Sequence, residues 1–430
     1  MPAISIPSLL IYRHRPRRLA TAFSSIRHLK LSLFSHSTSP SSLCVESSAQ
    51  SPAANAGSGR SGSLAAPPPQ LDGLQKIEVN PPKGTRDFPP EDMRLRSWLF
   101  QNFREVSQLF GFEEVDFPVL ESEALFIRKA GEEIRDQVIV PDFDLRVFFV
   151  SRKSVPLPLK WFAIGQCWRY ERMTRGRRRE HYQWNMDIIG VPDVTAEAEL
   201  ISSIITFFKR IGITSMDVGF KVSSRKVLQD VLRCYSVPEN MFSRLEKIPI
   251  EDIKKELKSA ELSDVAIEEL LQVLSVKSLE KLEEKLGTDA EALADLKKLF
   301  SLAEKYGYSE WIQFDASVVR GLAYYTGIVF EGFDREGKLR AICGGGRYDK
   351  LLSTFGGDDL PACGFGFGDA VIVELLKEKG LVPELSLQVD NIVCSLDPDL
   401  QGAASSVATI LREKGQSILT DTLILDSNRV

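Results

Sequence analysis

Between Gly165 and Gly190 the chain reads GQCWRYERMTRGRRREHYQWNMDIIG, an order of residues that few folds accommodate. An apolar, strand-like run (Trp161, Phe162, Ala163, Ile164) leads into it, and Arg169 and Glu171 follow two positions apart. Strand side chains alternate between faces, so this spacing puts both on the same face. A loop follows with Arg172, Arg175, Arg177, Arg178 and Arg179 around Gly176, after which His181, Gln183, Asn185 and Asp187 recur at period two. The pattern predicts one hairpin with a guanidinium fork suited to phosphate, a basic tip suited to nucleic acid, and a polar row suited to a small ligand. Taken alone, an arginine-rich loop is more often a solvated hairpin tip.

The remaining residues exclude several chemistries. Three of the four histidines (His14, His28, His36) lie near the N-terminus and only His181 lies beyond. A histidine-based metal site or a Ser-His-Asp triad is therefore not expected in the folded body. Six cysteines (Cys44, Cys167, Cys234, Cys343, Cys363, Cys394) are scattered without a C-x-x-C pair and read as reduced thiols. No apolar run approaches the ~18 residues of a membrane span. At 430 residues and 43% apolar content, two or three domains with a sizeable core are expected.

Residues 1–45 hold Arg13, Arg15, Arg17, Arg18, Arg27 and Lys30, many serines and no acidic residue. That is the composition of a mitochondrial or chloroplast transit peptide. Residues 46–75 are rich in Ser, Ala, Gly and Pro and read as a linker. Residues 1–80 carry eight Lys and Arg against three Asp and Glu, a net of +5, which leaves −10 on the rest of a chain whose net charge is −5. A body this acidic binds RNA only through a local basic patch, and the Arg172–Arg179 tip is the candidate.

Pro82–Phe88 reads as a polar turn before a helix starting near Glu91, whose Leu95, Trp98, Leu99, Phe103, Val106 and Phe110 share a face. Gly111 stops that helix, and Phe112–Pro118 reads as a strand. Val194–Arg210 is an amphipathic helix, and residues 213–312 are dominated by charge-laced helical sequence. Ser317–Glu331 and residues 337–349 read as a hairpin in which Gly344, Gly345 and Gly346 let backbone approach a ligand closely. No Lys-Ser/Thr follows them, which excludes a P-loop, and Gly364, Gly366 and Gly368 lack dinucleotide-fingerprint spacing. Val389–Ser395, Gln401–Lys414 and Ser417–Leu425 read as strand, helix and strand.

The stretch from Arg169-Tyr170-Glu171-Arg172 to His181-Tyr182-Gln183 and Asp187 resembles motif 2 of the class II aminoacyl-tRNA synthetases, and within them the histidyl-tRNA synthetases. R-G-L-x-Y-Y-T-G at 320–327 and G-G-G-R-Y-D at 344–349 are similar to the two signatures peculiar to that family. The Gly84-Thr85-Arg86-Asp87 turn, with the helix and strand closing at Pro118, is similar to motif 1, the family's homodimer interface. Pro361–Gly368 resembles motif 3.

The resemblance implies an α+β fold: the class II antiparallel β-sheet flanked by helices, with a helical insertion and a partial C-terminal α/β anticodon-binding domain. The implied layout is a transit peptide and linker over 1–75, catalytic core over 76–212 and 313–383, an insertion over 213–312 that approaches the tRNA acceptor arm, and a truncated anticodon-binding domain over 384–430. Only about 45 residues remain for that last domain, roughly half the usual need. The implied partners are ATP, Mg2+, histidine, tRNA(His) and a second copy of the chain, in a chloroplast or mitochondrion. By analogy Arg169 and Arg320 are catalytic, and Arg169, Glu171, Arg177 and Arg320 bind ATP. Gln183, Asp187, Tyr325 and Tyr348 bind histidine, Arg347 lies beside that pocket, and Arg172, Arg175, Arg178 and Arg179 contact tRNA.

The chain departs from the family pattern in three places. An Arg-Pro-Glu-x-Thr segment, whose glutamate receives the substrate α-amino group, is replaced by the unrelated stretch from Ile134 to Ser154. Losing such a carboxylate costs roughly 3–5 kcal/mol. The motif 3 Gly-x-Glu-Arg is here Gly368-Asp369-Ala370-Val371, and Asp187 stands where many members have glutamate. These departures leave open a histidine-binding regulatory paralogue or an RNA-binding, dimer-forming remnant.

Overall fold

A computed structural model describes residues 9–13, 80–118, 138–139, 156–169, 175–176, 178–235, 237, 254–255, 257–258, 262–287, 291–319, 324–354, 356–387, 389–395 and 397–421. They fall into two compact units, one of Glu78–Leu385 and one combining Met1–Ile77 with Ser386–Val430. In the smaller unit, strand Asn391–Ser395 pairs in parallel with Ile418–Asp421, and the helix Gln401–Glu413 connects them. Its other edge takes β1 (Leu9–Arg13), antiparallel, with Leu9 opposite Ser395. That strand lies within the residues read as leader. Leu-Leu-Ile-Tyr is a β-prone run, and an open sheet edge offers it a full row of partners.

In the larger unit α1 (Pro90–Leu109) starts with proline at its first position and Glu91 and Asp92 in its first turn, all favourable at a helix N-terminus. Its Leu99, Phe103 and Val106 are buried, and Gly111 (φ 75°) ends it. Residues 112–118, expected as a strand, hold only the short β2 (Glu113–Glu114). A second short strand, β3 (Val138–Ile139), pairs with β4 (Leu159–Arg169), and β4 pairs antiparallel with β5 (Glu180–Ile189). The predicted hairpin is therefore present, with Gly165 opposite Gln183 and Cys167 opposite His181.

After α2 (Thr195–Arg210) comes a departure from expectation. The stretch expected as helical insertion opens on β6 (Val218–Ser224), an alternating VGFKVSS run that joins the central sheet. Its helices begin only at α3 (Arg225–Cys234), followed by α4 (Asp264–Leu274), α5 (Leu279–Leu286) and α6 (Glu291–Lys305). They are not a satellite: Val231, Leu270, Leu282 and Leu296 belong to the same buried cluster as the sheet's Phe220 and Phe330. Then follow β7 (Ile312–Phe314), β8 (Ile328–Asp334), β9 (Cys343–Arg347), β10 (Ala362–Gly368) and α7 (Asp369–Lys379).

Among the described residues these strands make one nine-stranded sheet, ordered β2-β4-β5-β10-β9-β8-β6-β7 with β3 beside β4. Its six central strands are antiparallel, and the edge strands β2 and β7 pair in parallel. One face is packed with aromatics: Trp184 stacks on Phe103 at 4.7 Å and meets Phe365 edge-on at 5.1 Å, and its Nε1 donates to Ser107 Oγ at 2.9 Å. Each such ring removes apolar surface from water, worth about 1.5–3 kcal/mol. This anchors the register, because a one-residue slip would turn Trp184 and Met186 out and the polar row in. No helix among the described residues is long and apolar enough to cross a membrane.

Candidate active site

The other face of the sheet is hollow because its central strands carry glycine there. Gly364 lies opposite Asp187 and Gly346, and Gly366 lies opposite Asn185 and Gly344. A Cβ at Gly364 would come 2.0 Å from Asp187 Oδ1, and one at Gly366 would come 2.1 Å from Gln183 Nε2. The glycines without a nucleotide fingerprint thus form the floor on which the polar row of β5 lies, while Phe365 and Phe367 between them face the core. The result is a cavity of about 440 Å³ lined by Gln183, Asn185, Asp187, Tyr325 and Tyr348 with Arg169, Arg178 and Arg340.

At one end of the cavity the Tyr348 hydroxyl donates to Asp187 Oδ1. Burial and then the Asp187 charge raise the Tyr348 pKa well above its ordinary value, so the phenol stays protonated as the donor. Gln183 Oε1 lies 3.4 Å from Cys167 Sγ. Tyr324 packs edge-on against Tyr348 at 5.9 Å and tilted against Tyr325 at 4.8 Å. A planar aromatic ligand with an N–H donor suits this end.

Arginines divide into two groups. Arg169, Arg178 and Arg340 line the cavity, and among the described residues their side chains make no hydrogen bond or ion pair with protein. Arg175 and Arg179 are committed to the fold. Arg175 reaches Glu374 at 3.4 Å and Glu378 at 2.6 Å on α7, and Arg179 lies over Gly84, with Nη1 3.4 Å from Lys83 O. Arg175 is thus held on α7 rather than standing free, a tertiary contact invisible in the local pattern.

Arg347 turns away from the cavity. Its Nε and Nη2 each donate to Glu197 at 2.6 Å, Nη1 to Val191 O and Asp349, and Nη2 to Asp193 O. Burial opposes its charge, but the Glu197 hydrogen bonds and charge outweigh that and raise its pKa. The two side chains are 8% and 0% exposed. Arg347→Ala would strand a buried carboxylate and should cost about 3–5 kcal/mol in urea unfolding. A loss under about 1 kcal/mol would contradict this anchoring role.

A second bracket joins the expected motif 1 turn to the hairpin. Arg86 Nη2 donates to Asp369 Oδ2 at 2.8 Å, Tyr182 N to Asp369 Oδ1 at 2.9 Å, and Gln166 Nε2 to Glu180 Oε1 at 2.6 Å. Burial raises the Asp369 pKa, against the lowering effect of the Tyr182 amide and Arg86. Gly84 sits at φ +96° with both Arg179 N and Glu180 N donating to its carbonyl at 3.2 Å.

Residues 84–369 match the family described as Histidyl-tRNA synthetase. The chain belongs to the histidyl-tRNA synthetase family. It is similar to the chloroplastic/mitochondrial histidine–tRNA ligase of Arabidopsis thaliana, at 67% identity over 95% of this chain and 88% of that protein. The histidine–tRNA ligase of Thermoplasma volcanium is 34% identical over 79% of this chain and 84% of that one. Among solved structures, histidyl-tRNA synthetase from Nostoc sp. PCC 7120 aligns with TM-score 0.65 at 20% identity, covering 81% of this chain and 87% of that chain. An ATP phosphoribosyltransferase regulatory subunit/histidyl-tRNA synthetase from Bacillus halodurans C aligns with TM-score 0.67 at 24% identity, covering 82% and 96%. The fold is that of the class II synthetases.

For a chain of this family, the cavity brings together Arg169, Gln183, Asp187, Tyr325 and Tyr348 from the expected set. Arg178, expected to face tRNA, lines it too, whereas Arg175 and Arg179 bind protein. Glu171, Arg172, Arg177 and Arg320 lie outside the described residues, as does most of the stretch from Ile134 to Ser154. Sequence reasoning missed Glu331 and Arg340 as cavity residues. For Glu331 a signal existed: it shares a face with Val329 by strand alternation.

Proposed function

We propose that the chain is an organellar histidine–tRNA ligase, which activates histidine with ATP and transfers it to tRNA(His). The observation that carries this reading is one cavity with a protonated tyrosine–carboxylate pair at one end and uncommitted guanidinium groups at the other. The relative named chloroplastic/mitochondrial, together with the arginine-rich, acid-free N-terminal residues, supports import into an organelle.

In the first step a histidine carboxylate oxygen attacks the α-phosphorus of ATP, the bond to the bridging oxygen breaks, and pyrophosphate leaves. In the second a terminal ribose hydroxyl of tRNA attacks the acyl carbon and AMP leaves. Neither step needs a protein nucleophile. The residues hold the reacting oxygens in line and neutralise phosphate charge, the work of Arg169 and Arg178, with Arg320 by family analogy. Asp187, oriented by Tyr348 and supported by Gln183, accepts the imidazole N–H, and Tyr325 walls the ring. A site that hydrogen-bonds a substrate N–H rejects analogues lacking it by large factors. Tyr348→Phe should therefore raise the histidine KM roughly 10-fold and leave the ATP KM within about twofold.

No cluster of three or more metal-ligating side chains occurs among the described residues, so those residues offer no all-protein metal cage. Mg2+ held through ATP phosphates and a single carboxylate does fit, and Glu331 lines the cavity as that carboxylate, its pKa raised by burial. Bound there, Mg2+ would offset charge on the departing pyrophosphate. A second copy of the chain would pair through the Gly84–Pro118 unit. Of the arginines that the resemblance assigns to tRNA, Arg175 and Arg179 are engaged by protein groups and Arg178 lines the cavity, which leaves Arg172 for that role.

The missing Arg-Pro-Glu favours a second reading, a histidine-binding chain that forms no adenylate. Charging of tRNA(His) with radiolabelled histidine by the full chain tests the first reading. Histidine binding without charging would favour the second.

A further inference from the structure

The cavity holds one more guanidinium than the family motifs assign. Arg340 lies between β8 and β9 and lines the cavity with Glu331 and Gly344. Among the described residues its side chain has no hydrogen bond or ion pair, unlike Arg86, Arg175, Arg179 and Arg347. Burial and then the positive charge of Arg169 hold its pKa below the ordinary guanidinium value, offset in part by Glu331. Two cations that repel across an open cavity lower their energy when an anion comes between them. The position aligned with the motif 3 arginine is Val371, which packs on Gly176 and offers phosphate nothing.

We propose that Arg340 is a phosphate-binding residue of this site, taking the β,γ end of a nucleoside triphosphate opposite Arg169. It supplies from the β8–β9 connection the charge that the family draws from motif 3. The strand geometry allows this because Glu331 and Gly344 are direct partners on the cavity face, so the connection that joins β8 to β9 emerges beside the floor. Arg340 is exposed apart from this cavity, so replacing it does not disturb the core. The inference rests on the histidine-activating reading of the same cavity.

The test measures binding of ATP–Mg2+ and of adenosine to the full chain by calorimetry, alongside histidine-dependent ATP–pyrophosphate exchange. Arg340→Gln should weaken ATP–Mg2+ binding about 10- to 100-fold. Adenosine, which lacks phosphates, and histidine should bind within about twofold of the unmodified chain. Equal losses for ATP and adenosine would make Arg340 a structural residue and overturn the proposal, as would unchanged ATP binding. If the unmodified chain binds ATP but performs no exchange, the enzymatic reading fails while the phosphate assignment still stands or falls on the binding data.

Discussion

Arg169→Ala should cut histidine-dependent ATP–pyrophosphate exchange about a thousandfold while leaving the folded state intact. The residue ends β4, where its backbone N–H is held by Arg179 O at 2.8 Å, so the strand is fixed independently of the side chain. Its guanidinium lines the cavity without a protein hydrogen bond or ion pair among the described residues. Removing it therefore breaks no side-chain hydrogen bond or ion pair among the described residues and removes charge from the phosphate end. Positioned donors at developing negative charge are worth about 10²–10³-fold each, and arginines in phosphoryl transfer more. Steady-state exchange kinetics, with a thermal melt as control, measure this. A loss under about tenfold would contradict the assignment of this end of the cavity to phosphate.

The second large effect comes from a single methyl group. Gly364→Ala would put a Cβ 2.0 Å from Asp187 Oδ1 and 2.8 Å from Met186 O. The carboxylate cannot simply swing aside, because the same oxygen accepts the Tyr348 hydroxyl bond and moving it gives that bond up. Overpacking of this kind costs about 1–3 kcal/mol in stability, and displacing the carboxylate by an ångström costs about 100-fold in reaction. The kcat/KM for histidine should fall at least about 100-fold, with a smaller change in the ATP KM. Gly344→Ala, whose methyl would meet only Phe330 O at 3.6 Å, should keep the stability of the unmodified chain. Normal histidine kinetics in Gly364→Ala would mean that the β5 polar row does not hold the substrate.

The hairpin and the faces of its strands were legible because side-chain alternation is a property of one strand. Arg169, Gln183 and Asp187 fall on the cavity side for that reason alone. The role of Gly364 and Gly366 was not legible, since it lies in the partner across the ladder: cross-strand register decides that they face Asp187 and Asn185. The strand Val218–Ser224 was lost among helical neighbours, although its own alternation is clear, because a seven-residue run carries little weight in a hundred-residue helical stretch.

The arginines carry the same lesson. From sequence, Arg175, Arg178 and Arg179 are equivalent members of one basic loop, and Arg340 and Arg347 are neighbours in one hairpin. Their fates depend on which acidic or carbonyl groups the tertiary fold brings up. Glu378 claims Arg175, Glu197 claims Arg347, and the carbonyl of Lys83 takes Arg179. Among the described residues, Arg169, Arg178 and Arg340, left without a hydrogen bond or ion pair after that sorting, collect around one cavity. Motif resemblance finds the family. The sorting of charges by packing supports the proposed site.

Histidine-dependent ATP–pyrophosphate exchange by the full chain tests the central claim most directly, because it requires both ends of the cavity and no tRNA. The expected result is exchange that depends on histidine, saturates in both substrates, and is absent with amino acids lacking an imidazole. A folded chain that binds histidine and ATP but returns no labelled ATP would contradict it.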